Sequence, residues 1–417
     1  MITKTVNIES KNGTCPVDHG VFSARKMPYE VKANRPAVVC DAEGLWHVRD
    51  YDVAKRILRG KDMRQAGFGA EIVRKLPGDF IKNEPVLYQD GAEHKKQRRE
   101  IARFFTPKAT SQKYHRMMEQ YAHQMLAELY EKGHVELSDL TFKMATAVAA
   151  QVVGLTSSLW PGMADRMNYF IENTDFENIA TKLGPKMILE HIRNQIGVGK
   201  FFYLDVKPAI MSRKRNPQED VISHLIAQDY SSAEIMIECI TYGTAGMVTT
   251  REFIVVATWH MLEHPALREQ YLQANQAERH QILEEILRVE PIVSRLYRRT
   301  TEELQLEVEE ETITIPAGAL IVLHIDAVNA DESVVGADPN AVCPMRKLQK
   351  RAQPSIMGFG DGHHRCPGAY IAIQETDIFL HKLLAIKELK LVSEPTVTYR
   401  DLVKGYEVRN FIISVEG

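Results

Sequence analysis

The sequence predicts a mainly α-helical protein with a smaller β region, and three observations carry that expectation. Apolar residues recur at three- and four-residue spacing from Pro107 to about Arg215, for example through TSQKYHRMMEQYAHQMLAELYEKG, which ends at a helix-stopping glycine. A second periodic run, SSAEIMIECITYGTAGMVTTREFIVVATWHMLEHP, opens with Ser231 and Glu234 spaced as a capping box and closes at His264-Pro265. Strand-like alternation is confined to a hairpin pattern near Val38 to Val48 and to the stretch from Leu304 to Ile325. The β-rich part is therefore expected at about 30–60 and 295–330, with a helical remainder in a single domain over 1–417.

Each element has its own justification. The run from Ser231 is too long for surface decoration and should pass through the core. Gly243 and Gly246 lie inside it, where a glycine costs about 1 kcal/mol relative to alanine, so something must approach the backbone there. Thr241, Ala245 and Thr249 are spaced by four and should share the approached face.

Composition excludes several function classes. With 417 residues, 44% hydrophobic and 26% charged, the chain can bury a large core, and its formal net charge of -3 argues against nucleic-acid binding. The N-terminus lacks the apolar core of a signal peptide, and no apolar run reaches the roughly 20 residues needed to span a bilayer, so a cytoplasmic, monomeric protein without a membrane anchor is expected. Five cysteines at irregular, wide spacing indicate neither a disulfide framework nor a zinc module.

One cysteine stands apart. GFGDGHHRCPG, Gly358 to Gly368, sets four glycines and a proline around Cys366, with His363, His364 and Arg365 just before it. Zinc is disfavoured because adjacent histidines point apart and no second ligand pair follows; a Cys–His nucleophile leaves the glycines unexplained. A structural turn with a buried thiol rarely needs so many Gly, His and Arg residues. A thiolate bound to haem iron accounts for more: glycines let the backbone fold tightly and aim N–H groups at sulfur, a helix starting near Gly368 adds its positive end, and His364 and Arg365 offer donors to ring-edge carboxylates.

Phe359, Gly362, Cys366 and Gly368 form F-x-x-G-x-x-x-C-x-G, which resembles the haem-binding signature of the cytochrome P-450 family, soluble bacterial type. Other segments stand in that family's order. Glu285-x-x-Arg288 resembles its E-x-x-R helix, with Arg346 as the arginine completing a structural ion network. AGMVTT, Ala245 to Thr250, resembles its oxygen-binding helix, and EHKKQRR carries an H-x-x-x-R pair, His94 and Arg98. The resemblance implies the family's fold, with a long central helix over haem b and the cysteine loop beneath it. It implies Cys366 as metal ligand; His94, Arg98, Ala245, Gly246, Arg298, Phe359, Gly362, His364 and Gly368 as haem-binding residues; and O2 beside Thr249 and Thr250.

The implied reaction is monooxygenation: one oxygen atom of O2 enters a C–H or C=C bond, the other leaves as water, and two electrons arrive from a separate ferredoxin or flavodoxin with its NAD(P)H reductase. Arg99 and Lys108 are candidates for the docking face of that acidic carrier. Val248 stands where the family usually has an acid, so proton supply must differ, with Glu252, water held by the threonines, or the substrate as sources. Phe68, the Met167 to Leu189 region, Thr241, Thr244, Val248, Val293 and Leu296 are expected to line a pocket for a lipophilic small molecule such as a terpenoid, fatty acid or aromatic natural product. The alternatives are a peroxide-using peroxygenase, disfavoured because its Arg-Pro pair is absent, and a non-catalytic haem-thiolate gas sensor.

Overall fold

The computed structural model describes residues 23–27, 36–68, 70, 82–173, 196–308, 310–400 and 404–415. Helices α1 (Tyr51–Arg59), α2 (Gly91–Ile101), α3 (His115–Lys132), α4 (Leu137–Val153), α5 (Met163–Asn173), α6 (Lys207–Arg215), α7 (Val221–Ala227), α8 (Ser232–Gly243), α9 (Thr249–Glu263), α10 (Pro265–Gln273), α11 (Gln276–Val289) and α12 (Ala369–Leu384) make up most of it. Their ends are written locally. Asp50 caps α1 by accepting from the Val53 amide at 2.8 Å, and α3 and α4 stop at Gly133 and Gly154, whose φ values of 72° and 102° suit only glycine. Ser231 and Glu234 form a reciprocal capping box that starts α8, as do Asn275 and Glu278 before α11.

The long helix spans Ser232 to Glu263, but in three parts. Between α8 and α9, residues Thr244–Val248 wind as a π-helix, which widens the turn and shifts the backbone pairing by one residue. This interruption lies on AGMVTT and was not expected.

The main sheet joins β1 (Val38–Cys40), β2 (Trp46–Val48), β3 (Met63–Ala66), β4 (Arg295–Thr300) and β7 (Leu320–His324) in the order β1-β2-β7-β4-β3, with β2 and β7 parallel and the other pairs antiparallel. Between β4 and β7, β5 (Leu304–Val308) and β6 (Glu311–Ile315) form a hairpin. The expected β boundaries need correcting. Helix α1 occupies the end of the 30–60 region, and the region taken as helical remainder contains a further hairpin, β8 (Thr396–Arg400) with β9 (Gly405–Arg409), plus a three-stranded sheet of 134–136, 389–391 and 412–415. These strands are only three to five residues long, too short for alternation to announce them.

Two apolar cores result. The larger lies among α3, α4, α8, α9, α11 and α12; the smaller packs α1 against the main sheet. Ile356 and Met357 belong to the smaller core, whereas Phe359 packs against the larger. The loop before α12 therefore bridges them. Among the described cysteines, Cys40, Cys239 and Cys366 are free and Cys343 is disulfide-bonded, a single bond that the irregular spacing of the cysteines did not indicate.

Candidate active site at the junction of the two cores

Cys366 is presented by a backbone that leaves little freedom. Its amide donates to the Phe359 carbonyl at 2.9 Å, closing the loop, and Gly362–His364 make a single 3₁₀ turn capped by Asp361, which Arg59 of α1 grips at 2.8 and 3.2 Å. Gly362 has a φ of 67°, and a Cβ there would collide with the Leu58 carbonyl oxygen. Its glycine serves the seat of the loop on α1 rather than the thiol. Gly368 acts on the sulfur: its N–H points at Sγ from the start of α12. Burial pushes the Cys366 thiol up, and the Gly368 N–H, Arg98 and Arg365 push the other way. Such a thiol ionises readily once a metal cation shares the site.

Beside it, side chains from four elements converge. His94 of α2 stacks on His364 of the loop at 4.0 Å between ring centres. His364 Nε2 lies 3.2 Å from Asp90 Oδ1, and Asp90 also accepts from the Gln65 amide of β3 at 3.1 Å. Arg298 of β4 donates to Gln65 Oε1 at 2.6 Å and to the Tyr297 carbonyl. Arg98, one turn along α2 from His94, donates to the Arg365 carbonyl, next to the thiol. Sequence reasoning missed Asp90 and Gln65; the N-cap position of Asp90, one turn before His94, was the available signal.

The electrostatics of this cluster are unusual. Burial drives His94 down to about 3 and lowers His364, so both imidazoles are neutral donors or acceptors near pH 7. Arg298 is only 4% exposed and is pushed down to about 10 by burial, and among the described residues no carboxylate lies within ion-pair distance of it. A buried guanidinium without a carboxylate is costly unless something anionic completes it. The carboxylates of a haem are such groups. The residues therefore fit haem: a thiol at a helix N-terminus with two arginines and two neutral histidines at one edge.

The AGMVTT segment belongs to the long helix. The Thr249 hydroxyl donates to the Ala245 carbonyl at 2.6 Å across the π segment, and Ala245 is exposed although the flanking Met247 and Val248 are fully buried. Thr241 is likewise bonded back, to Ile237 at 2.9 Å, and Thr244 stands within the π segment. The glycines need a different reading. A Cβ on Gly243 would lie 2.8 Å from Met167 Cε, and one on Gly246 would lie 3.7 Å from Ala149 of α4. Among the described residues, α5 approaches the backbone at Gly243, and at Gly246 the nearest neighbour is α4 in ordinary van der Waals contact.

Three further expectations are corrected. Glu252 is fully buried; it accepts from Arg251 at 2.7 Å, from Arg409 at 2.8 Å and from the Val408 amide at 2.9 Å. Two guanidinium groups and an amide hold this carboxylate against β9, so it is a tie between α9 and the C-terminal hairpin, not a proton source. Val248 is part of the larger core, fully buried among apolar side chains of the described residues. Leu296 shares the β4 face of Arg298 and packs into the smaller core, toward the cysteine loop.

Of the remaining pocket candidates, Phe68 turns the chain at φ 52° with its carbonyl accepting from Tyr88 at 2.8 Å, and Val293 bridges to Gly405. Met167 is fully buried against Gly243, while most of the expected region from Met167 to Leu189 lies outside the described residues.

Behind the loop, Arg288 holds Glu285 through both carboxylate oxygens at 2.7 and 2.8 Å, and Arg346 reaches Glu285 at 3.0 Å. The Cys343 amide donates to the same carboxylate at 3.0 Å, and both arginines also bond backbone carbonyls from Asn329 to Ala341. Every polar atom pins a segment that leads into the cysteine loop.

Comparison with known proteins agrees with this geometry. The family model for cytochrome P450 matches residues 201–400. The chain is 26% identical over 349 residues to the biotin biosynthesis cytochrome P450 of Bacillus subtilis, covering 81% of this chain and 82% of that one. It is 25% identical over 359 residues to the erythromycin C-12 hydroxylase of Saccharopolyspora erythraea, covering 83% and 82%. Among solved structures, CalO2 superposes with a TM-score of 0.75 at 19% identity over 91% of this chain and 93% of that one, and P450BioI in complex with an acylated acyl carrier protein gives 0.70 at 24% over 89% and 92%. With the thiol, the haem-edge cluster and the interrupted helix in the same chain, these likenesses give the conclusion that the protein belongs to the cytochrome P450 family and is an oxidoreductase of the monooxygenase type.

Proposed function

We propose that the chain inserts one oxygen atom from O2 into a lipophilic small molecule, with Cys366 as the residue whose thiolate would hold the iron of haem b. The observation that carries this reading is the buried Arg298, without an ion-pair partner among the described residues, beside His94, His364 and Arg98 at the edge of a thiol-bearing loop. When bound, a thiolate-ligated haem iron supplies the activation of O2. The chain's own residues do the rest. Arg98 and Arg298 neutralise the cofactor's carboxylates, and the stacked imidazoles of His94 and His364 add uncharged hydrogen bonds. Gly368 N–H and the N-terminus of α12 stabilise negative charge on Sγ.

On the other side, Thr249 directs its proton at Ala245, which leaves its oxygen free to accept from water or substrate along the exposed face of the π segment. Val248 cannot transfer a proton and Glu252 is sequestered, so protons must arrive through water held by Thr249 and Thr250. Thr249→Ala is expected to leave haem content intact while the fraction of electrons ending in product falls about tenfold.

Electrons come from a separate ferredoxin or flavodoxin with its reductase, and the protein works in the cytoplasm. In support of the cytoplasm, no described helix is long and apolar enough to cross a membrane. The substrate class is tested by titrating terpenoids, fatty acids and aromatic natural products while following the Soret band. A shift with one class, followed by oxygenated product only when the electron carrier and O2 are present, supports the reading; product formed with peroxide alone would replace it with a peroxygenase.

A further inference from the structure

The α2 helix, which carries His94 and Arg98, is tied to the long helix at a point the haem reading does not use. Glu238 of α8 is 1% exposed, and its Oε1 accepts from the Val86 amide and from Gln97 Nε2, each at 3.0 Å. The second hydrogen of the Gln97 amide goes to the Tyr230 hydroxyl at 3.1 Å. Both remaining oxygens of the pair, Glu238 Oε2 and Gln97 Oε1, are buried without any hydrogen-bond partner. Two acceptors on groups already joined by one bond are unsatisfied together, and a proton on Oε2 directed at Gln97 Oε1 would satisfy both.

We propose that Glu238 carries that proton in the working protein and closes a cyclic acid–amide pair with Gln97, making it a positioning residue that sets α2 against the long helix. The proposal rests on the reading of His94 and Arg98 as haem-edge residues for its consequence, though not for the pair itself.

The surroundings favour a neutral acid. Facing Glu238 are the Val86 amide and Tyr88 from the segment before α2, Gln97 from α2, Tyr230 before α8, and Glu234, Cys239 and Tyr242 on α8 itself. Among the described residues no cation lies within ion-pair distance. Tyr242 feels both Glu238 and Arg98, and Arg98 is not among the groups that act on Glu238. Burial accordingly pushes Glu238 up to about 7, and the bond from Oε2 to Gln97 would raise it further. Glu234, one turn away, differs: it is ordinarily ionised, held by the Ser231 and Asn83 amides at 2.7 Å each.

The test is infrared difference spectroscopy on the haem-loaded protein, wild type minus Glu238→Gln. A protonated-carboxyl band present at pH 6 that fades as the pH is raised past 8 is expected; its absence at pH 6 overturns the pair. Because glutamine can replace the O–H with an N–H into Gln97 Oε1, Glu238→Gln should melt no lower than wild type at pH 8, whereas Glu238→Ala should melt well below it. The folded protein holds this proton longer than the unfolded chain, so wild type should lose melting temperature relative to Glu238→Gln as pH rises from about 4.5 through 7. Equal losses in Gln and Ala variants would show that a carboxylate is required and contradict the proposal. Arg98→Leu separates the two readings: full haem occupancy there would sink the α2 haem-edge role while leaving the band, and a missing band beside normal haem loss sinks the pair alone.

Discussion

Arg298 and His94 make opposite predictions about stability, because one is a charge kept and the other a charge refused. Arg298 is buried with no carboxylate of the described residues within ion-pair distance, Asp90 acting on it only from farther away, so in the haem-free protein Arg298→Met should be neutral or stabilising by about 1 kcal/mol, as expected when a buried charge is replaced by a hydrophobe. In the same variant haem retention should fall at least tenfold. Urea titration of the haem-free form, with haem transfer to an acceptor protein, measures both; loss of stability without loss of haem would contradict the assignment.

His94 is held near 3 against about 6.5 in the unfolded chain, so the unfolded state binds the extra proton. Stability is therefore full above pH 6.5 and declines as the pH falls from 6.5 toward 3, at up to about 1.4 kcal/mol per unit from this group. The difference between wild type and His94→Gln isolates it: the acid limb of melting temperature against pH should be shallower in the variant, and superimposable curves would remove the assignment.

At the scale of elements, the loop and the long helix each turn on sterics that composition could not show. Gly362 was legible as part of a signature, yet its cause is α1: Gly362→Ala forces a side chain into the Leu58 carbonyl at positive φ. A cost of about 3 kcal/mol or more is expected, with loss of the thiolate spectrum even where the helices survive, checked by circular dichroism beside absorbance. Gly243 and Gly246 were legible as mid-helix anomalies, but sequence spacing could not say that Met167 crowds Gly243 while Gly246 meets Ala149 in ordinary contact.

The π segment was invisible for a related reason. Regular 3.6-residue periodicity from Ser231 to Pro265 counts residues per turn and cannot register one extra residue in a single turn. Val248 teaches the same lesson about chemistry. Placing an acid there reads from sequence as restoring proton supply, but the side chain is fully buried in apolar surroundings. Val248→Asp should instead destabilise the fold by about 3 kcal/mol, read from urea unfolding, before any gain in turnover could appear.

Across the whole molecule, the placement of the site explains why several distant sequence features had to occur together. The cysteine loop sits where a helical core meets a sheet-based one, and it is pinned from behind by Glu285, Arg288 and Arg346 and from the side by Arg59. Removing Glu285 as Glu285→Ala leaves two buried guanidinium groups uncompensated and should cost about 3–5 kcal/mol. Cys366 stood out by its glycine-rich loop, whereas His94, Arg98, Arg298 and Thr249 were legible only through the order of the family's motifs, because singly each reads as an ordinary surface or helix residue. Glu252 shows the limit: its type and spacing suited proton transfer, but its partners Arg409 and Val408 lie on a hairpin more than one hundred and fifty residues away.

The central claim is that Cys366 ligates haem as a thiolate, and the CO difference spectrum of the dithionite-reduced protein tests it most directly. A strongly red-shifted Soret band in the wild type, replaced by a histidine-type band or lost in Cys366→His, is the predicted result. A histidine-type spectrum in the wild type, or no haem bound by correctly folded protein, would contradict it.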